Sequence, residues 1–239
     1  MLTRLHILGL ALIGSLIVPH TLADIELTGQ SIKDALAEYS LIDIMYNNQN
    51  GVEIVEGEDG FPAFKFLPTA DVKSSYRMIL PEKLYEFAIH ISYRQSSLKG
   101  GYLFSVVNSI DTVVQLGVHL SPVVKNQYEV TLVYSKADQS VGRKLASFSV
   151  PYVPDKWSSI EFQVLSDKVS FYYDCELRNT TNVVREPSEL VFESASTLYI
   201  GQAGPTIRGN FELIQLNAAV QREATNNLML SKVRSPVVL

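Results

Sequence analysis

The sequence predicts an all-β protein: two antiparallel sheets packed as a sandwich, with one short helix near the N-terminus. Three observations carry this. Apolar and polar residues alternate with period two through long stretches, turn-forming residues recur between those stretches, and no helical crossover separates them. One dry and one wet face per strand is what an antiparallel sandwich requires, and strands without crossover helices exclude a parallel sheet.

Residues 1–23 read as an export leader. Arg4 supplies a short positive start, Leu5 to Val18 form a mostly apolar run, and Thr21 and Ala23 stand at the −3 and −1 positions before Asp24. That is a signal-peptide pattern, and the apolar run is shorter than the ~20 residues a spanning helix needs. No later stretch is long and apolar enough to span, so the expected product is soluble and secreted, with no membrane span. Cleavage leaves 216 of the 239 residues, a size that suits one large β domain and a core able to do without disulfides.

The first element after the leader is the helix. Ile32, Ala35, Leu36 and Tyr39 fall at helical spacing, with Ser31 and Asp34 as a weak capping box. From Tyr85 the period is two. Tyr85, Phe87, Ile89, Ile91 and Tyr93 share one face, and Glu86, Ala88, His90 and Ser92 the other. Val114, Leu116, Val118 and Leu120 repeat the pattern around Gln115, Gly117 and His119, as do Tyr128, Val130, Leu132 and Tyr134. Further strands are expected at 63–67, 101–107, 144–150, 158–165, 168–174 and 197–201. Lys99-Gly100-Gly101, Ser121-Pro122, Pro151, Pro154, Ser166-Asp167 and Gly204-Pro205 supply the turns. The expected domain is 24–216. Residues 217–239 lack a period-two pattern and are expected to be disordered or a frayed helix.

Composition narrows the function classes. The chain is 46% hydrophobic and 19% charged, with a formal charge of −5 that becomes one unit more negative once Arg4 is removed. An acidic domain has no overall field for polyanions, which argues against nucleic acid as a partner. Cys175 is the single cysteine in a chain bound for an oxidising compartment. It could form an intermolecular bridge, lack a partner, or be a buried thiol. Alternation places it with Val169, Phe171 and Tyr173, which suits a thiol packed as a small hydrophobe.

Seven segments in order resemble the thrombospondin N-terminal-like domain, a laminin G-like sandwich at the front of collagen XV and XVIII (multiplexin) chains. They are Gly57-Glu58-Asp59-Gly60-Phe61-Pro62-Ala63, Gly100-Gly101-Tyr102-Leu103-Phe104-Ser105-Val106-Val107, Gln115-Leu116-Gly117-Val118, Ala146-Ser147-Phe148-Ser149-Val150-Pro151, Trp157, Tyr172-Tyr173-Asp174-Cys175-Glu176 and Leu198-Tyr199-Ile200-Gly201-Gln202-Ala203-Gly204. The resemblance implies a laminin G-like, concanavalin-like jelly roll. It also implies a non-catalytic module of the extracellular matrix, near basement membranes, in contact with matrix proteins or glycosaminoglycans. The family's second cysteine lies beyond its final strand and has no counterpart here. No Gly-X-Y repeat is present, so this chain cannot itself wind a triple helix.

Candidate chemistry is sparse. His6 and His20 leave with the leader, and His90 and His119 fall on polar faces. No Gly-x-Ser-x-Gly or His-Glu-x-x-His motif is present. A glycoside hydrolase needs two carboxylates roughly 5–9 Å apart. The acidic cluster Glu53, Glu56, Glu58 and Asp59 reads instead as a solvated turn. Catalytic and cofactor residues are therefore expected to be none, with a lectin or glycoside hydrolase on the same sandwich as the alternative. Laminin G-like relatives hold calcium with Asp and loop carbonyls. Asp111 and Asp59 are the acids considered, but a hard cation wants several oxygens and no metal site is assigned. Lys136, Arg143 and Lys144 on one hairpin, with Lys156 and Lys168, are the candidate heparan sulfate contacts through charge-assisted hydrogen bonds. Asn179-Thr180-Thr181 is a glycosylation sequon, expected in a polar loop past a strand.

Overall fold

The structure is a computed structural model that describes residues 38–40, 44, 50–57, 60, 62–211 and 214–222. The expected leader, the helix positions Ile32 to Leu36, the acids Glu58 and Asp59, and the tail beyond Arg222 lie outside these residues. Tyr39, given to the helix, is in a strand.

Among the described residues the strands run in order: β1 (Glu38–Ser40), β2 (Val52–Glu56), β3 (Pro62–Phe66), β4 (Val72–Ser75), β5 (Lys83–Leu84), β6 (Phe87–Gln95), β7 (Gly101–Val107) and β8 (Val114–Leu120). They continue with β9 (Gln127–Tyr134), β10 (Lys144–Pro151), β11 (Trp157–Val164), β12 (Lys168–Tyr173), β13 (Glu176–Asn182), β14 (Leu190–Val191), β15 (Thr197–Ile200) and β16 (Ile214–Arg222). A single-turn helix, α1 (Gly204–Ile207), follows β15. One sheet has the order β13-β12-β11-β6-β16-β3-β2, with β1 also on β16, and the other has the order β10-β9-β8-β7-β15-β4. The pairings within both are antiparallel. The fold is the expected all-β sandwich.

The long alternating stretches become the centre of both sheets. From β6, Phe87, Ile89, Ile91 and Tyr93 are buried, and β8 and β9 present Leu116, Val118, Leu120, Val130 and Leu132 from the opposite sheet. Phe148 of β10 stacks on Phe171 of β12 at 4.7 Å with planes 2° apart, and Phe162 is tilted against both. Tyr93 and Tyr128, one from each sheet, join hydroxyls at 2.5 Å inside the core. Burial pushes both phenols upward, that of Tyr93 well above the ordinary range. Each of these two hydroxyls thus has a partner.

Four expectations need correction. Tyr85 does not join the β6 face: it precedes the strand and is exposed. Val52–Glu56, read as part of an acidic turn, is a strand paired with β3, where Glu53 faces Lys65 at 2.8 Å. The outer face of β8 is not uniformly wet. Gln115 is 0% exposed, accepts from Ser196 Oγ at 2.5 Å and donates to the Val191 carbonyl at 3.3 Å. Beside it, Val107, Val114, Val133, Tyr199 and Ala203 form a second apolar cluster. Lastly, the expected boundary at Leu216 falls inside β16, which runs to Arg222 between β6 on one side and β3 and β1 on the other. Its sequence does alternate, Ile214, Leu216, Ala218, Val220 against Gln215, Asn217, Gln221, but the alanines blur the contrast that marks a strand.

Candidate functional site

The three cations expected to meet do share the β9–β10 hairpin. The Tyr134 N–H donates to the Arg143 carbonyl at 2.9 Å and the Arg143 N–H to Ser135 Oγ at 2.5 Å, which closes the hairpin base with Lys136 beside it. Two of the cations already hold carboxylates. Arg143 Nη1 donates to Glu186 Oε2 at 2.9 Å, and Lys144 Nζ to Glu129 Oε2 at 3.3 Å. Both pairs are exposed, so each contributes only ~0–1 kcal/mol, and a multivalent sulfate could compete for the cations. Lys156 and Lys168 are not brought to this hairpin in sequence or sheet. They stand at the starts of β11 and β12 in the other sheet, and Lys156 Nζ bonds Asp174 at 2.7 Å.

Glu129 also anchors a row of polar side chains on the outer face of the six-stranded sheet, which sequence reading did not assemble. Register sets Ser147 against Thr131 and Ser149 against Glu129, and cross-strand partners share a face. Ser147 Oγ donates to Glu129 Oε2 at 3.0 Å and meets Thr131 Oγ1 at 2.9 Å; Ser149 Oγ donates to Gln127 Oε1 at 3.4 Å. These bonds, Ser147 first and then Lys144, hold the Glu129 carboxyl below its ordinary pKa. Thr131 faces His119 on β8, and the His119 ring meets the Tyr102 ring edge-on at 4.8 Å. Burial lowers the pKa of His119 and raises that of Tyr102. At one end of the row lies an open depression of about 280 Å³ lined by Pro122, Val124, Gln127, Glu129 and Ser149. Hydroxyls, an amide, an ionised carboxylate and an aromatic edge on one flat sheet can accept and donate to a polyhydroxylated ligand.

The other candidates fall elsewhere. On the outer face of the eight-stranded sheet, Ser159 Oγ lies 3.4 Å from His90 Nε2, and His90 Nδ1 lies 3.7 Å from Glu161 Oε2. The order is that of a nucleophile relay, but the carboxylate is beyond hydrogen-bond range and the groups sit on an open face. Asp111, weighed for calcium, has φ +54 and accepts from the Tyr199 hydroxyl at 3.1 Å. Burial, with that contact, pushes the Tyr199 phenol up to about 12. Among the described residues no group of three His, Cys, Asp or Glu side chains could hold a metal ion.

Of the readings left open for Cys175, the buried thiol needs correction. It is exposed, because β12 ends at Tyr173 and Asp174-Cys175 form a two-residue hairpin turn with φ +50 and +64. Two positive φ values are the requirement of a type I′ turn, and they take Cys175 out of the strand alternation. Asn179 is likewise not in a loop. It lies in β13, exposed, its Oδ1 accepting the Thr180 N–H at 2.8 Å. A buried cation was also missed. Arg185 is 7% exposed and donates to the carbonyls of Leu165 (3.0 Å) and Ser188 (2.7 Å) and to the Tyr134 hydroxyl (3.1 Å). Its guanidinium lies 5.3 Å from the Tyr134 ring centre and 5.6 Å from that of Tyr85. Nothing in its local sequence marks it as buried.

Fold and face together define a two-sheet antiparallel β-sandwich that carries a polar row on the outer face of its six-stranded sheet. Comparison with known proteins agrees at the level of fold. No family model matches the chain. Over 162 residues, 67% of this chain, it is 26% identical to the human collagen α1(XVIII) chain, of which the matched stretch is 9%. Solved structures are similar to it at low identity. A botulinum neurotoxin type C structure matches with a TM-score of 0.50 and 14% identity, covering 82% of this chain and 50% of that one. A heptameric pentraxin from Limulus polyphemus matches with a TM-score of 0.46 and 14% identity, over 59% and 64%. No described helix is long and apolar enough to cross a membrane.

Proposed function

We propose that this chain is a non-catalytic module of the extracellular matrix, comparable with the N-terminal non-collagenous domain of a collagen XV or XVIII type chain. Its partners are matrix proteins and heparan sulfate, and it is exported by the leader at residues 1–23. The observation that carries the reading is the similarity to collagen XVIII across two thirds of the chain, in a sandwich whose β9–β10 hairpin gathers Lys136, Arg143 and Lys144. The full secreted chain should be retained on immobilised heparin at low salt and released as salt rises, since sulfate contacts are screened. Removing two of the three cations (Arg143→Ala with Lys144→Ala) should weaken retention. Removing the competing acids (Glu186→Gln with Glu129→Gln) should strengthen it. A chain that passes through at low salt and captures no basement-membrane protein refutes the proposal.

The Glu129–Ser147–Thr131 row beside Tyr102 and His119 favours a second reading, a lectin-like face for uncharged glycans. The row supplies one carboxylate, Glu129, whereas hydrolysis needs a pair, so binding suits it better than cleavage. On a glycan array Glu129→Gln should then reduce binding, the opposite of its effect on heparin.

A further inference from the structure

Among the described residues, one flank of the sandwich ends in two edge strands that pair on one side only. β13 ends the eight-stranded sheet and β10 ends the six-stranded one. Phe148 of β10 stacks on Phe171 of β12, so the facing sheet reaches as far as β12 and β13 overhangs it. All seven residues of the overhang are exposed. An edge of this length is a template for pairing with another chain, and proteins guard such edges with charge, proline or a cover. Here the charges are confined to the first half of β13, where Arg178 Nη2 bonds Glu176 at 3.3 Å and lies over the Tyr173 ring. The second half, Asn179 to Asn182, is uncharged, lacks proline and contains two β-branched threonines.

The sequon occupies that unguarded half. Register sets Asn179 opposite Phe171 and Thr181 opposite Val169, whose side chains are fully buried in the core, so Asn179 and Thr181 share their face. Thr180 points the other way, its hydroxyl 3.0 Å from that of Ser170. Asn179 therefore projects from the inner side of the overhang, on the flank where β10 also ends.

We propose that Asn179 carries an N-linked glycan whose structural role is to cover this flank and prevent edge-to-edge pairing with a second copy of the chain. The inference rests on the export reading above, because the sugar donor is met in the secretory pathway. The donor class is a lipid pyrophosphate-linked oligosaccharide. The side-chain nitrogen of Asn179 displaces the lipid pyrophosphate from the anomeric carbon; the C–N bond forms as the C–O bond breaks, and the nitrogen gives up one proton. A bulky hydrophilic group on an edge strand then does what charge does elsewhere.

The test compares the full chain secreted from a eukaryotic host with Asn179→Gln, Thr181→Ala and Thr181→Lys, all under reductant so that Cys175 forms no bridge. The secreted wild type should lose mass with an endoglycosidase that the three variants ignore. By analytical ultracentrifugation wild type should be monomeric. Asn179→Gln and Thr181→Ala should shift to dimers or larger species with an unchanged circular dichroism spectrum. Thr181→Lys, unglycosylated but charged at the edge, should return to monomer. Secretion without a glycan overturns the modification, and monomeric Asn179→Gln overturns the shielding role. A chain retained in the cytosol overturns the export reading and the modification together, so the two failures are distinguishable.

Discussion

Arg185 offers the sharpest test of how the loop before β14 is held. In Arg185→Ala the carbonyls of Leu165 and Ser188 lose the guanidinium that they accept from at 3.0 and 2.7 Å. These bonds are part-buried and Ser188 is itself exposed, so the cost of each is that of a hydrogen bond to a charged group, about 1.5–3 kcal/mol. Two such losses, with the ring contacts to Tyr134 and Tyr85, are partly offset because a buried cation no longer has to be desolvated. The balance is a loss of about 3 kcal/mol, a large fraction of the ~5–15 kcal/mol of a typical domain. With a urea slope of ~2 kcal/mol/M, the unfolding midpoint should fall by about 1.5 M. Arg185→Lys should recover less than half of that, since an ammonium cannot reach three acceptors spread across a planar fork. The acceptors are carbonyls and a phenol, so the deficit should be the same at low and high salt. Urea denaturation followed by tyrosine fluorescence measures it. If Arg185→Ala unfolds within a few tenths molar of wild type, or Lys substitutes fully, the loop is not pinned by this side chain.

Other consequences can be checked alongside. Phe171→Ala, which removes the ring shared by Phe148 and Phe162, should cost about 3–5 kcal/mol and lower the thermal midpoint accordingly. A stop after Leu216 removes the segment of β16 that pairs with Ser92 to Phe87; secretion should fall sharply and any product should lack a cooperative melt. Burial lowers the pKa of His119 from 6.5, so the unfolded chain binds its proton first as pH falls. Its contribution is complete above pH 6.5 and declines below it. Stability should therefore drop as pH falls below 6.5, and His119→Asn should flatten that slope. Native protein should react with iodoacetamide at Cys175 as fast as urea-unfolded protein does; a marked native-state protection would return the thiol to the interior.

The strands easiest to read in the sequence were those buried on one face, such as β6 and β9, where the contrast between Ile or Leu and charged neighbours is large. Legibility failed where that contrast was absent. β13 is exposed on both faces and so carries no apolar period. β16 substitutes alanines for larger apolar residues. Cys175 sat at an inward position on the assumption that the strand continued through it; the turn residues Asp174 and Cys175 are not the Asn-Gly or Gly-Gly pair that advertises a type I′ turn. For the candidate site, the hairpin cations were legible because they are near neighbours in sequence. The polar row was not, because Glu129, Ser147, His119 and Tyr102 come from four strands and meet only once register is fixed. Nor could spacing reveal Glu186 beside Arg143, a loop residue far along the chain that pairs one of the three expected cations.

The place of β16 has a kinetic consequence. β6 lies between β11 and β16, and its first residue, Phe87, pairs with Arg222. During synthesis β6 emerges early and must wait, the edge that β16 fills left open, while β7 to β15 are made. Closing so distant a pair is entropically slow. Until it closes, the half-built sheet offers nascent chains an adhesive border, so yield from the producing cell should respond to chaperone supply more than the melting temperature of the finished molecule would suggest.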